Sequence, residues 1–340
     1  MADLPLQTWT FDAFVVGIAL SGNGKTFAVG LGDGTARLID VDAPAPTPIT
    51  LHKGACLSLC ADVDDDAFLS GGDDGQVVRL SASGETETIA TLKNKWIDHV
   101  TAHAGAGVRA YASGKDVYVL DKKHKDTPRH LPHPTSVGGL AINPKGKRIA
   151  VTHYNGVSLW WLASQDSKPQ LLEWKGSHLQ ALWSPDGNYV ITAMQENALH
   201  GWRLSDAQHM RMQGYGAKVR SMSFMRKGAW LATGGADTVI CWPFTGGGPM
   251  GKAPAEFGNG AIGAGAGTAV TAVAANPKRD LMAAGFENGA VIIGQPDAPR
   301  AVSIVEADTS PVTSIVWNAA GDRMLTGNEA GKVVLADFRG

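Results

Sequence analysis

The chain has 340 residues, with 30 basic and 32 acidic side chains and a net charge of -2. That balance supplies no global field to draw the protein onto nucleic acid or an anionic membrane, so a partner must be recognised locally. Apolar residues make up 44% of the chain, enough for a sizeable core, while 42 glycines exceed the usual share and point to many tight turns.

From the N-terminus, the first predicted element is a short strand at residues 6–11. A repeating pattern then begins: an apolar residue, another three further on, another two later, and a polar turn. The leading positions are Val15, Cys56, Ile97, Val137, His178, Val219, Val270 and Val312, separated by 41, 41, 40, 41, 41, 51 and 42 residues. A period near 41 is that of four-stranded propeller blades.

Within each unit the same parts return in order. A first strand, such as 137–142 or 312–317, runs into a turn such as Asn143-Pro144-Lys145-Gly146, Ser184-Pro185-Asp186-Gly187 or Asn318-Ala319-Ala320-Gly321. Proline presets φ in such turns and glycine takes the positive φ that other residues avoid. A second strand, such as 148–152 or 189–193, ends at a hairpin signal: Asp33-Gly34, Asp74-Gly75, Asn155-Gly156 or Asn288-Gly289. A third strand follows, as at 117–120, 239–242 and 333–335. No stretch sustains a 3.6-residue period, so the expected class is all-β.

Eight units fill residues 15 to 338, and the last ends at its third strand with no outer strand of its own. The expected architecture is therefore a single eight-bladed β-propeller spanning residues 1–340. The strand at 6–11 completes the eighth blade and covers an otherwise open sheet edge. Seven blades is the alternative, with the third unit and its weaker hydrophobic columns the one misread.

The second and third strands resemble WD repeats. Gly71-Gly72-Asp73-Asp74-Gly75 is similar to that family's turn. Its closing Trp-Asp survives in pieces, as Trp160, Trp202 and Trp242 for the tryptophan and Asp40, Asp121 and Asp337 for the aspartate. The resemblance covers essentially the whole chain. It departs from the family at the Gly-His dipeptide before each first strand, which is nearly absent, and no unit keeps Trp and Asp together. The resemblance therefore implies a propeller whose usual His and Asp hydrogen-bond network is weakened.

Several motifs suggest chemistry that their context denies. Residues 19–26, Ala19-Leu20-Ser21-Gly22-Asn23-Gly24-Lys25-Thr26, fit a relaxed phosphate loop, but such a loop must join a strand to a helix N-terminus, and here it joins two strands. Residues 258–263, Gly258-Asn259-Gly260-Ala261-Ile262-Gly263, fit a dinucleotide pattern yet lead into a strand. Their place does stand out: the 51-residue step puts about ten extra residues into the Gly- and Pro-rich stretch 243–268, read either as a flexible connector or as a ligand or partner contact. His133, His153 and His178 point toward the top of units four and five and are the candidates for a metal, although no metal or other cofactor is expected. Lys122, Lys123, His124, Lys125 and Arg129, with Lys145, Lys147 and Arg148, form a basic patch at the opposite end, read as solvated loop lysines.

Cys56, Cys60 and Cys241 lie in apolar strand-like runs and read as small buried thiols in a reducing compartment; no second pair stands at finger-like spacing. No secretory signal and no run of about 20 apolar residues is visible, so the expected location is the cytoplasm. Gly-x-Ser-x-Gly is missing, and so is the tryptophan docking pattern of eight-bladed quinoprotein dehydrogenases. The expected function is a non-catalytic scaffold, monomeric by itself, that binds another protein through the propeller's top face and neither nucleic acid nor membrane. The candidate contact residues are Phe14, Lys53, Trp96, Asp98, Tyr154, Gln195, Tyr215, Lys218, Gly260, Gly263 and Phe286. The other reading is a metal- or small-ligand-handling protein or enzyme, with its site at the channel mouth around the three histidines and the glycine loop.

Overall fold

The computed structural model describes residues 4–121, 127–164, 166–258, 267–296 and 298–339. Among them every regular element is a β-strand except two single-turn 3-10 helices, Ala104–Ala106 and Arg226–Gly228. All eight leading positions are buried, none more than 8% exposed, so the apolar pattern does mark the inner edge of each repeat.

Two units can be distinguished. One holds residues 16–196 and 204–207. Its sheets are antiparallel meanders: Val15–Leu20, Thr26–Leu31, Thr35–Asp40 and Thr47–Thr50; then Cys56–Ala61, Ala67–Gly72, Gln76–Ser81 and Thr86–Thr91; then His99–His103, Val108–Ser113, Asp116–Leu120 and Arg129–Pro132. Next come Gly139–Ile142, Arg148–Trp161, Gln170–Trp183 and Tyr189–Met194. The core lies between successive sheets: Ala28 and Leu38 meet Phe68 and Leu80. Leu69 and Val77 meet Ile97 and Tyr111, and Val117 and Leu131 meet Ile149 and Trp160. A repeat thus buries its face only against its neighbour, which is how stacked repeats gain stability.

The other unit holds residues 1–15, 197–203 and 208–340. Its strands are Leu199–Arg203 and His209–Met212; Met222–Met225, Trp230–Thr233, Val239–Pro243 and Ala255–Phe257; and Val270–Ala275, Met282–Phe286, Val291–Gln295 and Ala298–Val305. The last sheet joins Val312–Trp317, Arg323–Asn328 and Lys332–Asp337 to the N-terminal strand Leu6–Thr10. Leu6 pairs with Ala336 and Thr10 with Lys332, so residues far apart in sequence complete the eighth repeat as expected.

Hydrogen bonding gathers the strands into seven sheets, the number held as the alternative, where eight had been expected. The third repeat, thought the weakest, forms a sheet of its own. The shared sheet is built around the two 14-residue strands Arg148–Trp161 and Gln170–Trp183. In the first, Asn155 (φ 70°) and Gly156 (φ 144°) separate residues 149–152, which pair with 139–142, from residues 156–159, which pair with 170–173. In the second, residues 170–173 close the fourth repeat and 178–183 open the fifth, with no proline or tight turn to interrupt the strand.

Glycine sets the spacing between repeats. A Cβ on Gly71 would lie 2.6 Å from Ile97 Cγ2, on Gly285 2.5 Å from Val312 Cγ1, and on Gly327 2.7 Å from Val15 Cγ1. Each of these second-strand glycines leaves the space that a leading side chain of another repeat fills, which is one reason the chain is glycine-rich.

The 51-residue step is corrected in form. The strand Ala255–Phe257, paired with Val239–Pro243, divides the stretch 243–268. One insertion, 244–254, joins the third and outer strands of the sixth repeat; the other, 258–269, precedes the first strand of the seventh. The excess therefore falls at both ends of one sheet. Residues 259–266 lie outside the described residues.

Candidate functional site

The polar interior explains which side chains are free for function. In the second repeat His52 Nδ1–H donates to Asp74 (3.1 Å), and its Nε2 accepts from the Ser70 hydroxyl (2.8 Å). Burial pushes the His52 pKa down, with Asp74 offsetting part of the effect. In the sixth repeat Trp242 Nε1–H donates to Tyr215 Oη (2.7 Å), which also bonds the Thr233 hydroxyl (2.9 Å). In the fourth, Trp160 Nε1–H donates to His133 Nε2 (3.0 Å). The His and Asp network expected to be weakened is present in the second repeat, and rebuilt with other residues in the sixth and fourth.

These bonds undo the metal set. A neutral imidazole has a single lone pair, and all three are in use: His133 accepts from Trp160, His153 from the Ser158 hydroxyl (2.9 Å) and His178 from the Thr192 hydroxyl (2.8 Å). Burial, helped by the neighbouring His153, pushes the His133 pKa down to about 4, in keeping with a neutral ring. Among the described residues no group of three His, Cys, Asp or Glu is placed to hold a metal. His133, His153 and His178 are structural.

The contact candidates divide by the direction of their side chains. Trp96 is 65% exposed and Phe14 and Tyr154 are each 48% exposed. Lys53 and Gln195 are exposed, and Asp98 and Lys218 half-buried. Two expectations are corrected. Tyr215 is buried because its hydroxyl closes the interior chain to Trp242. Phe286, the last residue of Met282–Phe286, turns inward and packs with Phe257, Val270 and Ile292. Gly260 and Gly263 lie outside the described residues.

The structure brings Trp96 and Asp98 into one open groove of about 420 Å3, lined also by Asn94, Lys95, Ser113, Gly114, Lys115 and Asp116. Two turns build it. In the turn after Thr86–Thr91, Lys95 N–H bonds back to Leu92 and Ile97 N–H to Gly72, with Asn94 at φ 58°. That geometry lifts the Trp96 ring off the sheet end. The hairpin at Ser113-Gly114-Lys115 meets it, Gly114 N–H donating to Asp98 Oδ2 (3.3 Å). Asp116 accepts from His130 Nε2 (2.7 Å) and Lys95 Nζ (3.4 Å), and the His130 bond above all holds its carboxyl below the usual range. Sequence reasoning found Trp96 and Asp98 but missed Lys95, Lys115 and Asp116; the signal available was the run Lys93-Asn94-Lys95-Trp96, two lysines flanking an aromatic residue in a turn. Tyr154 lines a different groove, of about 480 Å3, with Asn155, Glu173, Trp174 and Lys175.

Other motifs resolve into architecture. Residues 21–24 form the turn between Val15–Leu20 and Thr26–Leu31, where the Ser21 hydroxyl accepts from Thr26 N–H and donates to Asn23. Of the basic patch, residues 122–126 lie outside the described residues. The Arg148 guanidinium lies 4.0 Å from the Trp161 ring and Arg129 donates to the Trp161 carbonyl, so both arginines pack on the protein itself.

The family model described as WD domain, G-beta repeat matches residues 208–242, the segment that contains Tyr215, Thr233 and Trp242. The chain is of the WD-repeat β-propeller kind. Autophagy-related protein 16 of Arabidopsis thaliana is 21% identical over 319 residues, covering 88% of this chain and 60% of that relative, so the chain spans less than two thirds of its length. Among solved structures, the crystal structure of the computationally designed Ika8 protein matches with a TM-score of 0.73 at 18% identity, over 96% of this chain and 97% of that one. At that identity the likeness is one of fold alone.

Proposed function

We propose that this WD-repeat chain is a non-catalytic protein-interaction scaffold that recognises its partner at the end of the sheets carrying the hairpins between second and third strands. The observation that carries the reading is Trp96. A large aromatic ring left 65% exposed beside a groove, on a rigid turn, is the side chain whose burial by a partner returns most binding energy. The resemblance to autophagy-related protein 16 is in keeping with a partner-binding role, and the proposal places that role in the cytoplasm.

The test is lysine cross-linking of the intact protein in its own cell extract, followed by mass-spectrometric mapping. Partner cross-links concentrated on Lys53, Lys95 and Lys115 are the expected result. Cross-links concentrated on Lys145 and Lys147, in a turn at the other end of the sheets, would overturn it.

A further inference from the structure

We propose that the outer strand Ala298–Val305 pairs antiparallel, edge to edge, with the same strand of a second copy of this chain, about a two-fold axis through Ser303. The proposal goes beyond the scaffold reading and departs from the monomer expected from the sequence. The strand is the last of its sheet, paired with Val291–Gln295 alone. At eight residues it is the longest edge strand among the described residues. An edge presents unpaired backbone N–H and C=O groups that another strand can satisfy. The register shift between Val291 and Ile292 adds to them, since the extra residue it puts on the outer strand has no partner within the sheet. Edges of this kind are usually blunted by a charge in mid-strand, and residues 301–305 carry none, while Val302 is 39% exposed.

The segment Arg300-Ala301-Val302-Ser303-Ile304-Val305-Glu306 is self-complementary about its centre in three respects. Antiparallel pairing through Ser303 sets Val302 against Ile304 of the second copy and Ala301 against its Val305, so apolar side chains meet apolar ones. The same register sets Arg300 against Glu306 at each end. Both are exposed, and neither makes an ion pair among the described residues. Within one chain they stand about 20 Å apart along the strand, too far to pair with each other. Finally, the Ser303 hydroxyl is buried and has no hydrogen-bond partner among the described residues. A buried hydroxyl left so is costly. On the axis it lies directly opposite its own copy, at the cross-strand spacing of about 4.5–5.5 Å between Cβ atoms across which two hydroxyls bond. A contact of this symmetry closes on itself and stops at a dimer. An unrelated extended peptide would meet the backbone groups of the edge but not this match of charges and hydroxyls.

The experiment is sedimentation velocity of the full chain from low micromolar to several hundred micromolar, with amide hydrogen exchange read at both ends of that range. The expected result is a reversible monomer–dimer equilibrium, weak because the contact is small, in which the amides of residues 301–305 gain protection in the dimer. Arg300→Glu and Glu306→Arg each put two like-charge contacts into the dimer and weaken it at least about tenfold. An equal mixture of the two variants restores association, because in the heterodimer both contacts again join opposite charges, and so does the double variant. Val302→Lys weakens the dimer, whereas Leu171→Lys, at an exposed position on another sheet, leaves it unchanged. All four positions are exposed, so unaltered circular dichroism and melting of each variant separate lost association from lost folding.

The proposal is overturned if wild type sediments as a monomer throughout, if either charge reversal leaves the dimer as strong, or if the mixed variants associate no better than each does alone. A dimer whose added protection falls outside residues 301–305 would also reject it and assign the contact to another surface. The outcome is separate from that of the scaffold reading, which is tested by partner cross-links at Lys53, Lys95 and Lys115; none of those lysines lies on this strand.

Discussion

Two glycine-to-alanine substitutions at equivalent places should differ in sign. Gly30 and Gly71 both lie in second strands, are buried, and have backbone angles open to any residue. Alanine lowers the conformational entropy of the unfolded chain, which favours folding by about 0.4–1 kcal/mol where the site has room. At Gly30 the new Cβ meets Cys56 Sγ at 3.2 Å and Leu59 Cδ2 at 3.4 Å, both side-chain atoms able to give by a few tenths of an ångström. At Gly71 it meets Ile97 Cγ2 at 2.6 Å and the Ile97 carbonyl oxygen at 2.8 Å, and that oxygen belongs to the backbone. Overpacking of this kind costs about 1–3 kcal/mol. Gly30→Ala should be neutral to slightly stabilising, and Gly71→Ala destabilising, with a gap of about 2 kcal/mol from the difference of these terms.

Urea unfolding followed by tryptophan fluorescence compares the midpoints. Equal midpoints, or a higher one for Gly71→Ala, would refute the claim that these glycines set the spacing between repeats. A double-mutant cycle sharpens the test. Ile97 is fully buried, and Ile97→Ala alone should cost about 2–5 kcal/mol. On the Gly71→Ala background it should cost less, since the closest clashing atom leaves with it.

Stability should fall with acid in a window set by buried histidines. His52, His99, His133 and His178 all have pKa values pushed below 6.5, burial being the first cause in each. The unfolded chain takes up those protons first, so their contribution is whole above about pH 6.5, shrinks as pH falls, and for His133 is gone below about 4. A thermal midpoint that holds or rises from pH 6.5 to 4.5 would contradict this, and His133→Gln should flatten the descent. Tyr215→Phe strips Trp242 and Thr233 of their shared partner and should cost about 1–3 kcal/mol, against no measurable change for exposed Tyr154→Phe, both read from urea midpoints. Deletion of residues 1–12 removes the strand that covers Lys332–Asp337 and should abolish folding; a soluble truncated chain with a cooperative melt would count against the closure.

The repeat was legible because burial at the inner edge of each sheet repeats at a fixed period, and all eight leading residues obey it. The hairpins were legible because their turns need positive φ, which Gly34, Gly75, Asn155 and Gly289 supply. What failed to show was direction. Phe286 ends the strand Met282–Phe286, where alternate side chains go to opposite faces and its own faces inward, while Tyr215 lies between strands and is drawn in by its bonds to Trp242 and Thr233. Sheet number was hidden because Gly176, the one breaker residue between Glu173 and Ser177, takes a φ of 128° yet does not end the strand, which continues through it. The groove joins two turns about twenty residues apart, so neither turn reads as a site by itself.

The interior networks bear directly on where function can lie. His52, His133 and Tyr215 are chemically different, yet each satisfies a buried polar partner: Ser70 and Asp74, Trp160, or Thr233 and Trp242. A propeller sheet therefore requires that the tryptophan N–H and the second-strand hydroxyl be satisfied, and does not require histidine for the task. The His52 ring and the Tyr215 hydroxyl are spent on architecture in this way, and His133 has committed its one lone pair to Trp160. The groups left over stand where no strand needs them, in the turns at the sheet ends. Trp96, Lys93 and Lys115 are such groups, and in no described interior network do they take part. The histidines and the tyrosine that look most chemical in the sequence hold the sheets together, and the exposed ring of Trp96 stands in a plain-looking turn.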